Sequence, residues 1–225
     1  MFISLTYPLS EDSPTFGKSP KIRFEPLRRT ARGDYNNVTM CHLFTHHGTH
    51  MDAPFHFNPE GITIDQLNLD DFIFNQPKFI DARNHAGNVI DRADIEPFFT
   101  SGDTSDLLLV FSGASLMRES DPDNYMLRYP PFTTDAAKFI IEETKLRGLA
   151  MDFGCVDLAE DIFVGKSPVH DILLGKQGAG SRGIPLVEDV NLFPLVGKKI
   201  KRVFAMPLPL KGLDGSPVNI FAEIE

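Results

Sequence analysis

The segment HHGTHMDAPFH, residues 46–56, carries most of the chemistry that can be seen in this sequence. Five of the seven histidines in the 225-residue chain lie between positions 42 and 56. Imidazole is the commonest protein ligand for zinc-like metals, and a carboxylate is its usual oxygen partner. Four potential ligands stand at even positions: His46, His50, Asp52 and His56. An extended segment would point all four to one side, so we predict that they gather around a metal ion.

The cost of burial favours a metal over a purely structural role for this segment. A lone histidine is more often a hydrogen-bonded core or surface residue than a ligand, but several titratable groups this close together are expensive to bury without a cation. Gly48 permits a tight backbone path, and Pro54 stiffens the exit from the segment. We expect structural roles for His42 and His47, which are not needed to complete the set, and a loop position for His85.

The charge balance limits the partners that this chain can have. Asp and Glu number 31 against 22 Lys and Arg, which gives a net charge of −9. Phosphate binding needs a basic face, so we expect no nucleic-acid partner. The one basic run, residues 198–202, is predicted to be a solvated edge. The chain shows neither a secretory-signal pattern nor an apolar run near the roughly 18 residues that span a bilayer, so we expect no membrane association.

The two cysteines bear on whether the protein works in a reducing or an oxidising compartment. Cys41 and Cys155 are far apart in the sequence, and either one bridge or two free thiols would account for them. Two free thiols in a reducing environment are the simpler interpretation, and we expect a cytoplasmic protein.

The hydrophobic pattern predicts a mixed α/β domain spanning residues 1–225. Leu107–Phe111 is a short apolar run typical of a buried strand. Thr134 is predicted to cap an amphipathic helix that Gly148 ends, and residues 149–152 form the next strand. A strand, a helix and a strand make at least one β-α-β unit. Further predictions are strands at 2–5, 38–45, 203–207 and 218–224, a helical turn or short helix at 170–174, a loop or irregular edge strand at 10–26, and a loop at 175–183.

Residues 46–56 resemble the H-x-G-T-H-x-D-x-P-x-H signature of the cyclase family of metal hydrolases, which includes bacterial kynurenine formamidase and isatin hydrolase. Every fixed position of the signature is matched. Weaker likeness extends over residues 4–6, 109–113, 148–157 and 170–174. The resemblance implies a single mixed-sheet α/β domain of the swivelling β/β/α type, and a homodimer or larger homo-oligomer.

The resemblance also implies roles for individual residues. His46, His50 and Asp52 would bind a first metal ion, and Asp52 would bridge to a second ion held by His170 and Glu188. His56 corresponds to the family's catalytic histidine. The long separation between His170 and Glu188 leaves one ion and two ions both open, and zinc and manganese are the expected metals. Cys155 stands where relatives tend to carry serine, and we favour a small buried residue there over a soft ligand.

These residues predict a hydrolase for a small amide, either an aryl formamide or a cyclic amide. A divalent metal lowers the pKa of water to about 7, and a histidine such as His56 can move the proton. An ester or lactone hydrolase and a ring-closing dehydratase use the same centre and stay open, as does a non-catalytic metal-binding protein. Aromatic contacts near the site would come from Phe44, Phe55 and Phe57.

Two further segments give weaker signals. Residues 118–125 are polar, and either a loop that covers a pocket or an ordinary solvated loop fits them. The glycine-rich stretches 175–183 and 212–215 match neither a Walker pattern nor a Rossmann fingerprint, which excludes a nucleotide site there.

Overall fold

The computed structural model describes residues 1–83, 89–176 and 183–225. His85 and residues 177–182 of the glycine-rich stretch lie outside the described residues, so the two loop predictions made for them stay predictions. The strands are β1 (Phe2–Ser4), β2 (Arg23–Arg28), β3 (Val38–His42), β4 (His50–Asp52), β5 (Ile73–Phe74), β6 (Pro77–Asp81), β7 (Leu107–Phe111), β8 (Gly148–Met151), β9 (Leu186–Glu188), β10 (Ile200–Pro207) and β11 (Gly215–Ile224). The α-helices are α1 (Arg92–Ile95), α2 (Pro122–Leu127), α3 (Thr134–Lys138), α4 (Ala159–Phe163) and α5 (Pro168–Leu173).

Several tight helical turns connect these elements. The 3₁₀ helices are Thr30–Arg32, Pro54–His56, Ile64–Gln66, Leu69–Phe72, Glu96–Phe98, Ala114–Met117 and Phe193–Leu195, and Phe139–Glu143 is a π-helix. The predicted strands near both ends of the chain and the short helix near residue 170 all occur, within a few residues of the expected bounds.

A nine-stranded mixed sheet forms the centre of the fold. Its strand order is β5-β10-β11-β4-β9-β8-β7-β6, and β1 also pairs with β11. Neighbours are antiparallel from β5 to β9 and parallel from β9 to β6. The predicted α/β class with a mixed sheet is confirmed.

Hydrophobic layers cover both faces of the sheet. In β7 all five residues are buried, and alternation sends Leu108 and Val110 to the helical layer while Leu107, Leu109 and Phe111 face the layer formed with β10 and β11. A strand that is buried on both faces has a continuous apolar sequence rather than an alternating one. This explains why the run at 107–111 could be predicted.

The β7-α3-β8 unit exists, but two of its predicted boundaries are wrong. The N-cap is Thr133 rather than Thr134, because the Thr133 hydroxyl accepts a hydrogen bond from the Ala136 N–H at 3.2 Å. The helix continues as the π-helix and ends at Glu143, ahead of the extended residue Thr144. Gly148 does not end it: Gly148 is the first residue of β8, where the ring of Phe74 packs against it.

Strands β2 and β3 form a separate two-stranded antiparallel sheet. We call residues 23–42 the arm. The predicted strand at 38–45 ends at His42, and it lies in the arm rather than in the central sheet. For residues 10–26 the prediction allowed a loop or an irregular edge strand: residues 10–22 form no strand, and residues 23–26 begin β2.

Three smaller predictions can also be compared with the structure. Cys41 is exposed and Cys155 is buried, and both are free thiols, so the alternative of a bridge is excluded. The residues of the basic run 198–202 are exposed except for half-buried Ile200, as expected of a solvated edge. Within the described ranges, every helix is too short or too polar to cross a lipid bilayer.

Candidate metal centre

The segment 46–56 reaches the site by turns as well as by a strand. His50 and Asp52 lie on the same face of β4, but His46 lies in a turn and His56 ends the 3₁₀ helix Pro54–His56. The prediction of one extended segment is therefore right only for the residues within β4. Gly48 makes the turn with φ +64°, and a Cβ there would lie 2.3 Å from the Leu9 side chain.

Strand β9 brings a second carboxylate beside β4. Register pairs His50 with Glu188, and the His50 Nε2 atom lies 3.5 Å from Glu188 Oε2 and 3.3 Å from Asp52 Oδ1. Helix α5 adds His170, whose Nε2 lies 3.7 Å from Asp52 Oδ2 and 3.8 Å from Glu188 Oε1. The long sequence separation between His170 and Glu188 does not keep them apart in the fold. The other four predicted metal ligands lie around Asp52.

The spacing of the ligand atoms divides the cluster differently from the expected assignment. Within the described residues, His46, Asp52 and His56 form one group whose ligand atoms lie within 4.8 Å of one another, and His50, Asp52 and Glu188 form another. The resemblance instead pairs His46 with His50, and His170 with Glu188. Asp52 is shared in both arrangements.

Two of the imidazoles are oriented as metal ligands usually are. His50 donates its Nδ1–H to the Gly48 carbonyl oxygen at 2.8 Å, and His170 donates its Nδ1–H to Asp157 Oδ2 at 2.6 Å. These hydrogen bonds leave Nε2 of each ring facing the two carboxylates. Fixing one ring nitrogen with an outer hydrogen bond is the normal way to present the other nitrogen to a metal ion.

Asp157 is positioned by the start of α5. Its carboxylate also accepts the backbone N–H groups of Val169 and His170, at 2.8 and 3.1 Å. The same carboxylate thus holds both the helix end and the imidazole. In the sequence, Asp157 falls within a stretch of family likeness and has no predicted role of its own.

The electrostatics of the cluster favour a cation. Burial opposes the charge of Asp52, but His46 and His56 lower the pKa of this carboxyl well below its usual range. Burial and the nearby Asp52 raise the pKa of Glu188. Glu188 Oε1 is buried and has no hydrogen-bond partner among the described residues. An unpaired carboxylate oxygen at this depth costs free energy unless a positive ion balances it.

His46 lies between two carboxylates. Its Nδ1 is 2.7 Å from Asp52 Oδ1, and its Nε2 is 2.7 Å from Asp214 Oδ2. Burial disfavours the imidazolium, but Asp52 and Asp214 together raise the pKa of His46 to about 10. Gly215 allows the approach, because a Cβ there would lie 2.8 Å from the His46 ring.

Asp214 also contacts the predicted catalytic histidine. Its Oδ2 lies 3.4 Å from His56 Nδ1, and the rings of His46 and His56 stack with centroids 3.9 Å apart. Hydrogen bonds from both imidazoles lower the pKa of Asp214. Asp214 was missed in the sequence analysis, which tested residues 212–215 only as a nucleotide loop. No local signal connects it with a motif more than 150 residues earlier.

A cavity of about 210 Å³ opens onto these groups. Its walls are mostly apolar: Phe16, Phe44, Phe57, Met126 and Ile162. Of the three phenylalanines named from the sequence, Phe44 and Phe57 line this cavity, whereas Phe55 lines a neighbouring cleft. The arrangement combines a polar floor with an aromatic wall, which suits a small ligand that carries one reactive polar group.

A buried ion pair holds Asp189, the residue that directly follows β9. Arg118 donates to both carboxylate oxygens of Asp189, at 2.6 and 2.7 Å, and the Tyr125 hydroxyl donates to the same carboxylate. Asp189 has φ +52°, a strained value for a residue other than glycine. Residues 118–125 are therefore neither a covering loop nor a solvated loop at these two positions: Arg118 and Tyr125 are buried and hold the residue next to Glu188.

The other candidate residues lie outside the cluster. His42 is exposed on the arm, where it contacts Arg23 and Glu25. His47 is 2 % exposed, and neither ring nitrogen has a hydrogen-bond partner among the described residues. Cys155 lines the cavity and is buried, and burial raises the pKa of its thiol. It does not join either group of potential ligands in the described chain, which agrees with a small buried residue.

Comparison with known proteins adds independent findings. The Cyclase family model, described as "Putative cyclase", matches residues 3–158. Kynurenine formamidase of Bacillus thuringiensis (strain Al Hakam) is 28% identical over 218 residues, covering 97% of this chain and 95% of that protein. The corresponding enzyme of Bacillus mycoides (strain KBAB4) is 29% identical over 219 residues, with the same coverage.

Solved structures share the fold. Isatin hydrolase A from Ralstonia solanacearum superposes with a TM-score of 0.81 at 21% identity, covering 100% of this chain and 92% of that chain. A predicted metal-dependent hydrolase from Bacillus stearothermophilus gives a TM-score of 0.74 at 21% identity, with coverage of 99% and 97%. The expectation of a cyclase-family hydrolase is confirmed. Since the family model spans more than half of the sequence and the relatives align along nearly all of it, this chain belongs to the Cyclase family.

Proposed function

We propose that this enzyme hydrolyses a small amide, an aryl formamide or a cyclic amide, with a divalent metal held by His46, His50, Asp52, His170 and Glu188. The observation that carries the proposal is the buried Oε1 of Glu188, which has no hydrogen-bond partner among the described residues and lies 3.8 Å from His170 Nε2. Oxygen and imidazole donors of this kind suit zinc or manganese. The two overlapping groups of ligand atoms have room for one ion or two.

When bound, a divalent cation supplies Lewis-acid chemistry: it polarises an acyl oxygen and makes water acidic enough to lose a proton near pH 7. The residues of the chain supply the rest. Gly48 and Asp157 fix the outer nitrogens of His50 and His170, so that both rings present Nε2 without reorganisation. Burial of Asp52 and Glu188 keeps bulk water from screening their charge.

His56 is the proposed general acid–base residue. Its side chain is about a quarter exposed, at the edge of the cavity, and its Nδ1 faces Asp214. Asp214 would hold one ring nitrogen and leave Nε2 to take a proton from water and return it to the leaving nitrogen. A positioned group of this kind is worth about 10²–10⁴-fold in rate.

The apolar cavity wall and the named relatives support an amide as substrate. Phe16, Phe44 and Phe57 can pack against an aromatic ring, while the polar cluster meets the carbonyl. The relatives named kynurenine formamidase and isatin hydrolase agree with this class of substrate. A cytoplasmic location is part of the same proposal and is supported by the two free thiols.

The test is hydrolysis of a substrate panel by protein that has been stripped of metal and then reloaded. Formyl-anilines and isatin-like cyclic amides should be cleaved after addition of zinc or manganese, and not by the stripped protein. Cleavage of lactones or esters in preference to amides would replace the amide proposal with an acyl-ester one. Tight metal binding with no turnover on any acyl substrate would favour a non-catalytic metal protein.

His56→Ala separates the acid–base role from metal binding. We expect bound metal to be retained and turnover to fall by about 10²–10⁴-fold. Asp214→Asn should lower turnover less, because the imidazole is still present but is held less firmly. Full turnover in the His56→Ala protein would contradict the assignment.

A further inference from the structure

A second cleft, with a volume of about 470 Å³, shares no described lining residue with the cavity at the metal centre. It lies at the carboxyl ends of two neighbouring parallel strands: Ala82 and Arg83 directly follow β6, and Ser112 directly follows β7. Crevices at the carboxyl ends of parallel strands are common ligand sites in α/β proteins. Arg128 also lines this space, which we call the Arg128 cleft. Its volume falls in the range usual for small-molecule sites, about 300–1,000 Å³.

The inner part of the Arg128 cleft is apolar and held by internal contacts. The Ile90 N–H donates a hydrogen bond to the Pro131 carbonyl oxygen at 2.8 Å, and both residues are buried. Tyr129 also lines the cleft. Its ring stacks on Phe153 with centroids 5.4 Å apart, and its hydroxyl donates to the Asp157 carbonyl oxygen at 2.8 Å. Because these contacts fix the lining, a ligand would bind with little reorganisation of the protein.

Three exposed apolar side chains border the same cleft. Val89, Leu127 and Leu158 are 39, 43 and 40 % exposed. Single exposed apolar residues are ordinary, but a cluster of them around a concave surface indicates a binding site. Leu127 ends α2 and Leu158 directly precedes α4, so the fold rather than the local sequence brings them together. A ligand that suits this cleft therefore has an apolar body.

The charge of the cleft is positive although the chain is acidic. Arg128 is the C-cap of α2, and its guanidinium has no ion-pair or hydrogen-bond partner among the described residues. Arg83 donates through Nε and Nη2 to Asp81, at 2.8 and 2.6 Å, which balances its charge and leaves its other N–H donors available. The described lining includes no Asp or Glu. One positive charge is therefore left unbalanced.

We propose that the Arg128 cleft is a second ligand site, which binds a small monocarboxylate with an aromatic body. The planar guanidinium of Arg128 matches the two oxygens of a carboxylate, and a single unbalanced charge favours a monoanion over a phosphate. The apolar lining packs against the body of the ligand. The site is independent of the metal chemistry, because none of the proposed metal ligands lines it.

Neighbouring residues give the cleft and the cavity separate reporters. In α2, Met126 lines the cavity at the metal centre, whereas Leu127 lines the Arg128 cleft. Around α4, Ile162 lines the cavity and Leu158 lines the cleft. The methyl groups of Leu127 and Leu158 therefore report a ligand in the cleft, and those of Met126 and Ile162 report a ligand in the cavity.

The test is methyl NMR of the full chain, supplemented with zinc and titrated with 2-naphthoate. The Leu127 and Leu158 methyl resonances should shift to saturation, and added salt should weaken the binding. Acetate lacks the apolar body and 2-naphthamide lacks the charge, so both should shift these resonances far less. Shifts confined to Met126 and Ile162 would place the acid in the cavity and overturn the proposal. Tighter binding of 2-naphthyl phosphate at Leu127 would overturn the choice of a carboxylate.

Variants test whether Arg128 and the apolar rim bind the acid. Arg128→Gln should raise the dissociation constant of 2-naphthoate, read at Leu158, about tenfold or more, because a charge-assisted hydrogen bond is lost. Leu127→Ser should raise it by a smaller factor. The matched controls are Lys145→Gln, at an exposed position before the amino end of β8, and Leu69→Ser, at an exposed leucine elsewhere; both should bind as the wild type does.

The thermal unfolding midpoint of each variant shows whether the fold is retained. If Arg128→Gln kept the fold and bound 2-naphthoate as tightly as the wild type, the assignment of the Arg128 cleft would be overturned. That result would leave the metal-dependent hydrolysis standing, since the cleft and the metal centre share no described residue.

Discussion

Glu188 and Asp189 are neighbours in sequence and equally buried, yet their surroundings are opposite. Asp189 accepts hydrogen bonds from Arg118 and Tyr125, whereas Glu188 faces Asp52, and its Oε1 accepts no hydrogen bond within the described part of the chain. Asp152 resembles Asp189: its two oxygens accept backbone and hydroxyl donors from residues 112–115. Donors surround Asp189 and Asp152, as expected of carboxylates that stabilise the fold, whereas potential metal ligands surround Glu188, as expected of the proposed metal centre.

The largest effect should come from removing the shared ligand. Asp52→Ala takes away the carboxylate common to both groups of ligand atoms, so metal binding and activity should be lost together, by about 10³-fold or more since the ion supplies several kcal/mol. Elemental analysis and a turnover assay measure the two losses. Asp135→Ala, at an exposed helical position, is the control. If the Asp52→Ala protein retained its metal, Asp52 would not belong to the proposed metal centre.

The stability of the fold should depend on the pairing of the Asp189 carboxylate with Arg118. Arg118→Leu leaves the charge of Asp189 buried and unpaired, which should lower the free energy of unfolding by about 3–5 kcal/mol in a urea titration. Adding Asp189→Asn should recover part of the loss by removing that charge. Arg83→Leu breaks an exposed bidentate ion pair with Asp81 and should lower the free energy of unfolding much less. Equal losses at the two sites would show that burial does not decide the outcome.

A smaller effect is expected from the residue that orients a ligand. Asp157→Asn weakens the hydrogen bond to His170 Nδ1 without touching the cavity, and metal affinity should fall by about 10–100-fold. Competition with a coloured chelator measures this affinity. An unchanged affinity would mean that His170 does not need Asp157, or is not a ligand.

Removing a carboxylate charge should have opposite effects at two adjacent residues, and the smallest effect is expected at Glu188. In metal-free protein above neutral pH, Glu188→Gln should raise the free energy of unfolding by about 1 kcal/mol, because it removes a repelling, unpartnered charge beside Asp52. Asp189→Asn should lower it, because Arg118 then loses its partner. Urea unfolding of both variants in chelator gives the comparison directly. If both variants changed the free energy of unfolding in the same direction, the contrast between Glu188 and Asp189 would be wrong.

The sequence was most informative where ligands or buried strands are local. The residues from His46 to His56 could be grouped as potential ligands because they are close in sequence. Leu107–Phe111 could be predicted as a strand because a strand buried on both faces is apolar throughout. The helix start was wrong by one residue, because Thr133 and Thr134 are both capable caps and only the backbone conformation chooses between them.

Long-range relations were beyond a local pattern. Asp214 contacts His46 because β11 pairs with β4, and the sequence around residue 214 contains no pattern that predicts this pairing. Strand β3 was predicted, but its pairing with β2 in a separate two-stranded sheet was not, since sheet membership depends on partners rather than on propensity. Residues 118–125 look solvated by composition, yet the charge of Arg118 is buried because Asp189 balances it.

The two glycines that touch the centre restrict how this enzyme can be diversified. Any side chain at position 48 would collide with Leu9, and any at position 215 with the His46 ring, so libraries that vary these codons would mostly encode inactive protein. The apolar wall is different, because Phe44, Met126 and Ile162 line the cavity without holding a ligand. Directed evolution toward new acyl substrates should therefore randomise the wall and leave both glycine codons fixed.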